Sequence, residues 1–319
     1  MKTKSLLLLF LTTAFAADAS ANLIELYETQ FDTDYASAGV GGLRGTGNGD
    51  ISLSGVSGSV TRAYLYWHGP TNSEDPAFNA NIALNGTSIS GTNIGFSDDN
   101  FWGQDNSQAY RADVTALISG DGTYSLTGLA PNNSNGASLV VFFDDGDDSN
   151  NQDIVSFDGN DANFGNPFDS LGWDVTLSGI NYVSGLASLS MSVSDGQDFG
   201  FGDDGTFLLN GVALNTADIF EGSTVPQTSG TSVGNGGLWD IVNLDITSFL
   251  TPGLNALNLT HTAVNDALSA IHFAVLLPAG AAPEQPDDDP AASVPEPGTL
   301  ALLGIGLAGM GLARRRRMV

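Results

Sequence analysis

The stretch YRADVTALISGDGTYSLTGL at residues 110–129 recurs in similar form as VNLDITSFLTPGLNALNLTH at residues 242–261. Both copies follow a short apolar segment that contains Asn-Gly, and both precede a more continuous apolar segment. These flanking segments are IALNGTSIS and NGASLVVFFDD in the first copy, and FLLNGVALN and NDALSAIHFAVLL in the second. Self-similarity at a spacing of about 125 residues predicts two tandem domains, at residues 22–152 and 153–280. A single long sandwich with both copies in one core is the alternative.

Short apolar runs between Gly, Asn, Ser, Thr and Asp residues predict that both copies consist of β-strands. Asn85-Gly86 and Asn210-Gly211 each follow an apolar run, and Asn-Gly is typical of a two-residue type I′ hairpin. We therefore expect an all-β ectodomain of two antiparallel, jelly-roll-like β-sandwiches. The repeated segments are similar to the stretch before a late strand in galactose-binding-like jelly rolls. The order YLYW, LNG, ADVT and LVVFFDD also resembles uncharacterised domains of other bacterial surface proteins.

Positive charge is nearly absent from the interior of the chain. The 319 residues carry a formal net charge of -27 at pH 7, but most of the Lys and Arg residues lie at the two ends. Residues 22–295 contain 34 acidic residues against Arg44, Arg62 and Arg111, which gives a formal charge of -31. Because phosphate binding needs clustered Lys and Arg, nucleic acid is excluded as a partner. Divalent cations are natural partners of such a surface; an acidic surface that only confers solubility is the alternative.

Residues 1–21 have the features of a signal peptide. A charged start, an apolar run at residues 6–11 and small residues up to Ala21 occur in that order. This order predicts export, with signal peptidase cleaving after Ala21 or, alternatively, after Ala16.

The C-terminal region contains three consecutive segments of different composition. Residues 281–293 are rich in Ala, Pro and Asp, so they predict a disordered linker. The uncharged residues 298–313 predict a transmembrane helix, slightly shorter than the roughly 20 residues that span a bilayer. The residues that flank this helix are Val294, Pro295, Glu296 and Pro297 before it, and Arg314, Arg315, Arg316 and Arg317 after it. The arginine cluster is expected to remain on the cytoplasmic side.

VPEP, the apolar GTLALLGIGLAGMGLA and RRRR, in this order at residues 294–319, resemble the PEP-CTERM sorting signal. The resemblance implies that a membrane-embedded exosortase of a Gram-negative envelope recognises this tail and cleaves near VPEP. It also implies a membrane-anchored precursor and a product at the cell surface or in the extracellular exopolysaccharide matrix.

Groups of acidic residues are candidate calcium sites. Calcium takes about six to eight oxygen ligands, which Asp, Asn and backbone carbonyl groups supply. One group follows the apolar run SLVVFF and another is interspersed with Gly; solvated turns are the alternative for both, and EF-hand spacing is absent. Asp158 and Asp161, with Asn160 and Asn163, form a third possibility. The main candidates are Asp144, Asp145, Asp147, Asp148 and Asp153 in the first group, and Asp195, Asp198, Asp203 and Asp204 in the second.

Aromatic side chains in loops are candidates for binding sugars, because flat rings stack on the apolar faces of pyranoses. Trp102 and its neighbour Phe101, in SDDNFWGQDN, are the first candidates, and Trp239, in NGGLWD, is the next. Trp67 and Trp173 lie in strand-like runs, so they are predicted to belong to the core.

Residues suited to catalysis are scarce. The chain has three histidines and no cysteine, and it lacks lysine after residue 4, so thiol and Schiff-base chemistry are excluded and no disulfide stabilises the fold. We therefore expect no enzymatic activity. The sequence favours a structural or adhesive protein of the exopolysaccharide layer, stabilised by calcium. A carbohydrate-binding module is the alternative, and a polysaccharide hydrolase that uses paired carboxylates from distant loops is a third interpretation.

Overall fold

The computed structural model describes residues 24–198, 204–215, 219–222, 237–261 and 265–283. These residues form seventeen strands and two single 3₁₀ turns, which confirms the predicted all-β class. The predicted signal peptide and the predicted sorting tail with its transmembrane helix lie outside the described residues. Within the described ranges, no helix is long and apolar enough to cross a membrane.

The first half of the fold contains nine complete strands and the 3₁₀ turn Thr115–Leu117. The strands are β1 (Glu25–Val40), β2 (Gly49–Leu53), β3 (Ser59–Thr71), β4 (Asn81–Leu84), β5 (Thr87–Ser90), β6 (Thr92–Ser97), β7 (Asn106–Asp113), β8 (Gly122–Thr127) and β9 (Gly136–Asp144).

The second half contains eight strands and the 3₁₀ turn Thr247–Phe249. The strands are β10 (Gln152–Ala162), β11 (Trp173–Tyr182), β12 (Ser188–Ser194), β13 (Phe207–Leu209), β14 (Val212–Asn215), β15 (Trp239–Asp245), β16 (Gly253–His261) and β17 (Ser269–Pro278).

The two halves repeat one antiparallel topology. A nine-stranded sheet has the order β15-β12-β17-β10-β1-β9-β3-β7-β6, so β10-β17-β12-β15 mirrors β1-β9-β3-β7 about the central β1–β10 pair. Each half adds a four-stranded sheet, β2-β8-β4-β5 in the first and β11-β16-β13-β14 in the second. The edge strand β6 is the one described strand without a counterpart in the other half.

The predicted hairpins are confirmed. Asn85 and Asn210 have φ angles of 49° and 50°, and Gly86 and Gly211 have φ angles of 77° and 76°. Two consecutive positive φ angles are what a type I′ turn requires, and Asn and Gly adopt them most easily. The turns join β4 to β5 and β13 to β14.

The repeated Asp-Val/Ile-Thr element has the same structural role in each half. The hydroxyl oxygen of Thr115 accepts a hydrogen bond from the backbone N–H of Ala63 at 2.9 Å. The hydroxyl oxygen of Thr247 accepts the equivalent bond from Ala187, also at 2.9 Å. Each threonine thereby connects its 3₁₀ turn to a strand of the large sheet, to β3 in the first half and to the start of β12 in the second.

Each half has its own hydrophobic core between its small sheet and the large sheet. Leu65, Trp67 and Leu139 belong to the core of the first half. Phe157 and Phe273 belong to the core of the second half. Alternate strand residues point to opposite faces, so the sheet has a second face to cover.

A third core, here called the junction core, lies on that other face of the large sheet. It combines Tyr66 and Phe142 from the first half with Trp239, Ile271 and Leu276 from the second. Several strands of the large sheet are therefore buried on both faces. This explains the continuous apolar runs in β9 and β17, because a strand buried on both faces has no polar side to alternate with.

The predicted boundary between residues 152 and 153 falls at the start of β10. The halves nevertheless share one sheet, because β1 pairs with β9 through Asp34–Val40 and with β10 through Glu25–Thr33. Residues 24–283 belong to one compact unit. The division into two tandem domains stays a prediction.

Candidate functional site

A cleft of about 440 Å³ opens where loops of the two halves meet. The first half contributes the loop between β6 and β7, and the second contributes the residues after β12 and those before β17. The lining residues are Asn100, Phe101, Trp102, Asp195, Gln197, Asn265, Asp266 and Ala267. The cleft thus brings together the first aromatic candidates and one of the predicted calcium ligands.

The loop between β6 and β7 is held by its own acidic side chains. The Asp99 carboxylate accepts hydrogen bonds from the backbone N–H groups of Phe101, at 3.0 Å, and Gln104. The Asp98 carboxylate accepts one from the N–H of Asn100 at 3.1 Å. Asn100 also donates through its amide to the hydroxyl of Ser269, at 3.1 Å, in the second half. These carboxylates therefore shape the loop and pin it to the other half.

The loop places a large apolar ring in solvent. Phe101 is 78% exposed and has a φ angle of 67°. Left-handed backbone is unfavourable for a bulky residue and is found mostly where the surrounding structure enforces it, often at functional sites. The ring stacks on Phe164 of the second half, with 4.9 Å between centroids and 13° between planes. Phe164 thereby supports the ring of Phe101, which lines the cleft.

Trp102 lies deeper and is fixed by a buried ion pair. The guanidinium carbon of Arg44 lies 3.1 Å from the centre of the Trp102 ring. The indole Nε1 donates to the Asp195 carboxylate at 3.3 Å, and Arg44 Nη2 donates to the same carboxylate at 3.0 Å. Arg44 thus covers one face of the indole and Asp195 binds its N–H edge, so the ring is held in one orientation.

Burial dominates the electrostatics of this ion pair. It raises the pKa of Asp195, while the nearby Arg44 charge and the Trp102 donor oppose that rise. Burial likewise lowers the pKa of Arg44 to about 10, against the opposing effect of Asp195. Arg44 therefore remains charged at neutral pH. The pair joins the two halves, because Arg44 belongs to the first half and Asp195 belongs to the second.

A polar network continues behind the ion pair. Asn135 accepts a hydrogen bond from Arg44 at 2.6 Å and donates to the hydroxyl of Ser194 at 3.0 Å. That hydroxyl is also 2.7 Å from Nδ1 of His68. Burial lowers the pKa of His68 to about 3, so its imidazole is neutral at physiological pH. Ser194 is fully buried, and the network supports the cleft without facing it.

The other polar groups of the cleft are amides and a carboxylate. The side chain of Asp266 is buried and accepts a hydrogen bond from the backbone N–H of Gln197 at 3.1 Å. Asn265 is exposed beside it. Amide groups both donate and accept hydrogen bonds, so this wall matches the hydroxyl groups of a polar ligand.

Trp239 is not a surface residue. It is fully buried in the junction core, and its indole N–H donates to the hydroxyl of Ser138 at 2.8 Å. The structure therefore removes Trp239 from the candidates for sugar binding. Trp67 and Trp173 are also buried, which confirms the prediction that they belong to the core.

The predicted calcium ligands of the first group do not form one cage. Asp144, Asp145 and Asp147 accept hydrogen bonds from backbone N–H groups two positions ahead, as in ordinary Asx turns, and Asp148 is exposed. Asp153 is buried and has different partners. Its carboxylate accepts hydrogen bonds from the backbone N–H groups of Asp32, Gly280 and Ala282.

The second predicted group is dispersed as well. Asp195 belongs to the cleft, Asp198 is exposed, and Asp203 lies outside the described residues. Asp204 is buried and accepts hydrogen bonds from the backbone N–H groups of Ile219 and Phe220. In the described part of the chain, no group of three or more His, Cys, Asp or Glu residues is placed to hold a metal ion. Calcium binding by these nine residues stays a prediction.

Comparison with known proteins bears first on the C-terminal tail. The family model of the PEP-CTERM protein-sorting motif matches residues 293–317. The chain is thus an exported protein of the class that an exosortase processes from a membrane-anchored precursor. The prediction of a PEP-CTERM sorting motif in the tail is confirmed.

The matches to the rest of the chain are distant in sequence. No curated protein matches the chain. A peptide-N(4)-(N-acetyl-β-D-glucosaminyl)asparagine amidase matches at 11% identity and a TM-score of 0.30, over 76% of this chain and 96% of its own. BuGH86 in complex with neoagarooctaose matches at 11% identity and a TM-score of 0.22, over 78% of this chain and 32% of its own. Sulfolobus turreted icosahedral virus matches at 10% identity and a TM-score of 0.22, over 80% and 92%.

Proposed function

We propose that the exported protein binds neutral glycan chains in the cleft and thereby has an adhesive or structural role in the exopolysaccharide layer. The observation that carries the proposal is the exposed ring of Phe101, which stacks on Phe164 and lies beside Trp102. The backbone of Phe101 is strained, because its φ angle is positive. A solvent-exposed aromatic surface of this kind lowers stability and gains its value from a ligand that covers it.

The shape and polarity of the cleft suit a saccharide. A pyranose has one apolar face and a rim of hydroxyl groups, so it needs a ring to stack on and groups that both donate and accept hydrogen bonds. Phe101 and Trp102 offer the rings, and the exposed amide of Asn265 offers polar contacts. The volume of about 440 Å³ lies within the range of small-molecule sites and suits a few sugar units.

Charge narrows the class of glycan. Asp266 lines the cleft, where Arg44 is already paired with Asp195, and the other two arginines of the ectodomain are paired with aspartates elsewhere. An acidic polysaccharide would be repelled by the surplus of carboxylates. We therefore expect neutral chains to bind more tightly than uronate-rich or sulfated ones.

The test is binding of the purified ectodomain to an array of neutral and acidic oligosaccharides, followed by isothermal titration with the tightest neutral binder. Replacing Trp102 with Ala should weaken binding by about tenfold or more, because tryptophan anchors dominate the energetics of binding sites. Phe101→Ala should weaken it less. Phe31→Ala is the matched control, since Phe31 is 49% exposed on β1 and does not line the cleft.

Three outcomes would be decisive. Binding that survives Trp102→Ala unchanged, or binding lost equally in Phe31→Ala, would contradict the proposal. Release of shorter oligosaccharides during prolonged incubation, lost in Asp195→Asn or Asp266→Asn, would support the hydrolase instead.

A further inference from the structure

Asp161 is a buried carboxylate without a hydrogen-bond donor. It lies near the end of β10 and is 1% exposed. Both of its side-chain oxygens are buried, and neither accepts a hydrogen bond. An ionised carboxylate is strongly unfavourable in this environment, because burial removes its hydration and no hydrogen bond replaces it.

The group that faces Asp161 is another carboxylate. The loop that joins β10 to β11 returns over the strand and brings the side chain of Asp169 within hydrogen-bonding range of Asp161. One oxygen of Asp169 accepts the backbone N–H of Leu171 at 3.0 Å, while the other is buried and accepts no hydrogen bond. Asp174 adds a more distant negative charge, and no positive group among the described residues offsets these three.

Two carboxylates this close need a positive charge between them. A proton is one solution, and burial together with Asp169 and Asp174 raises the pKa of Asp161 to about 8. A cation is the other solution, since it satisfies three unpartnered oxygens at once and removes the repulsion. An exported protein whose ectodomain carries a formal charge of about -31 recruits cations readily.

We infer that the carboxylates of Asp161 and Asp169 hold a divalent cation, Ca²⁺, beneath the loop of residues 163–172. Calcium suits the position because it accepts carboxylate, carbonyl and water oxygens in flexible geometry, whereas Mg²⁺ demands a near-ideal octahedron. The ion fastens the loop to the end of β10. Neither carboxylate belongs to the groups of nine acidic residues that sequence spacing favoured, although Asp161 was part of the third, weaker possibility.

The loop is built to close tightly at this point. A side-chain carbon at Gly172 would lie 2.3 Å from the carbonyl oxygen of His261 and 2.9 Å from that of Asn163. The indole N–H of Trp173 donates to the backbone carbonyl of Asp161 at 2.5 Å. The end of β10 and the end of the loop are therefore in direct contact, which keeps the two carboxylates together.

The proximity of Trp173 supplies a sensitive test. Terbium(III) replaces calcium at oxygen sites and emits when a nearby tryptophan is excited. We expect the purified ectodomain to show terbium emission that calcium displaces, and to melt at a higher temperature in millimolar calcium chloride than in sodium chloride of equal ionic strength. Asp161→Asn and Asp169→Asn should each weaken calcium binding by about tenfold or more, because each removes a charged ligand.

The matched control is Asp148→Asn, which removes an exposed carboxylate from the acidic turn after β9. It should retain both the emission and the thermal shift. No thermal shift with calcium, or an equal shift in Asp161→Asn, would overturn the inference. An equal loss in Asp148→Asn would assign the ion to the turn instead.

Direct binding gives a second measurement that does not depend on variants. Isothermal titration of the ectodomain with calcium chloride should show saturable binding that magnesium chloride does not reproduce at the same concentration. Absence of calcium binding would overturn the inference.

Discussion

The first half of the ectodomain, residues 24–151, and the second half, residues 152–283, arrange eight strands each in the same order. Individual hydrogen bonds also recur in both halves: the bond from Ala63 to Thr115 in the first half is equivalent to the bond from Ala187 to Thr247 in the second. They differ in their loops and in one strand. The first half has β6 and the loop that presents Phe101 and Trp102, and no described strand takes the place of β6 in the second half. The loop after β10 is equivalent in position to the loop after β1 but differs from it in sequence and contains Asp169.

This difference separates scaffold from site. The repeated elements are explained by sheet formation and core packing. Features that lower stability in isolation lie in loops or near the ends of the repeated strands. They are the exposed ring of Phe101 in the loop after β6, and the donor-free carboxylates of Asp161, near the end of β10, and of Asp169 in the loop that follows. Such features are informative because marginally stable proteins retain few of them without a use.

The largest expected effect concerns the junction core, where the halves meet. Trp239→Ala should lower the free energy of unfolding by about 3–5 kcal/mol, because it removes a fully buried ring and leaves the Ser138 hydroxyl without its donor. Chemical denaturation of the ectodomain provides the measurement. Phe31→Ala, at an exposed position, should change it by less than about 1 kcal/mol. A loss below about 1 kcal/mol for Trp239→Ala would mean that the halves are energetically independent.

The next effect concerns pH. The folded pKa of Asp161 is raised to about 8 from an ordinary value of 3.8, so without calcium the folded state holds a proton that the unfolded state releases. The stabilising contribution is complete below about pH 4 and is lost as the pH rises to about 8. Asp161→Asn should flatten the fall in stability over this window in chelator-treated protein, as urea denaturation at several pH values would show. An unchanged slope would contradict a shared proton.

The smallest effect tests the repeat itself. Thr115→Ala and Thr247→Ala should each lower the free energy of unfolding by about 1 kcal/mol, because each removes the acceptor of an equivalent backbone N–H. Urea denaturation of the two variants gives the comparison. Losses that differ by more than about 1 kcal/mol would show that the two 3₁₀ turns are not equivalent.

Much of the scaffold was predictable because many of its strands are apolar runs that turn-forming residues such as Gly and Asn separate. The runs RAYLYW, SLVVFF and AIHFAVLL lie in β3, β9 and β17, and both Asn-Gly turns form as expected. Strands β1 and β10 were not singled out because acidic and polar residues interrupt their apolar residues. Their extended state depends on pairing with each other and with β9 and β17, which local sequence does not encode.

The candidate site was predictable only in part. Trp102 and Phe101 were found because aromatic residues in a polar loop are unusual. Arg44 was missed, since its partner Asp195 is 151 positions away. Asp195 was interpreted as a calcium ligand because spacing shows carboxylates but not the arginine that pairs with one. Trp239 was expected at the surface because its Gly-rich surroundings resemble a loop, yet it begins β15.

The central claim is that the cleft between the loop after β6 and the second half binds glycan. Hydrogen–deuterium exchange of the ectodomain with and without the tightest neutral oligosaccharide tests it at the level of segments. The account predicts slower exchange at residues 98–105, 195–197 and 265–267, absent in Trp102→Ala. Protection confined to other segments, or protection that persists in Trp102→Ala, would contradict it.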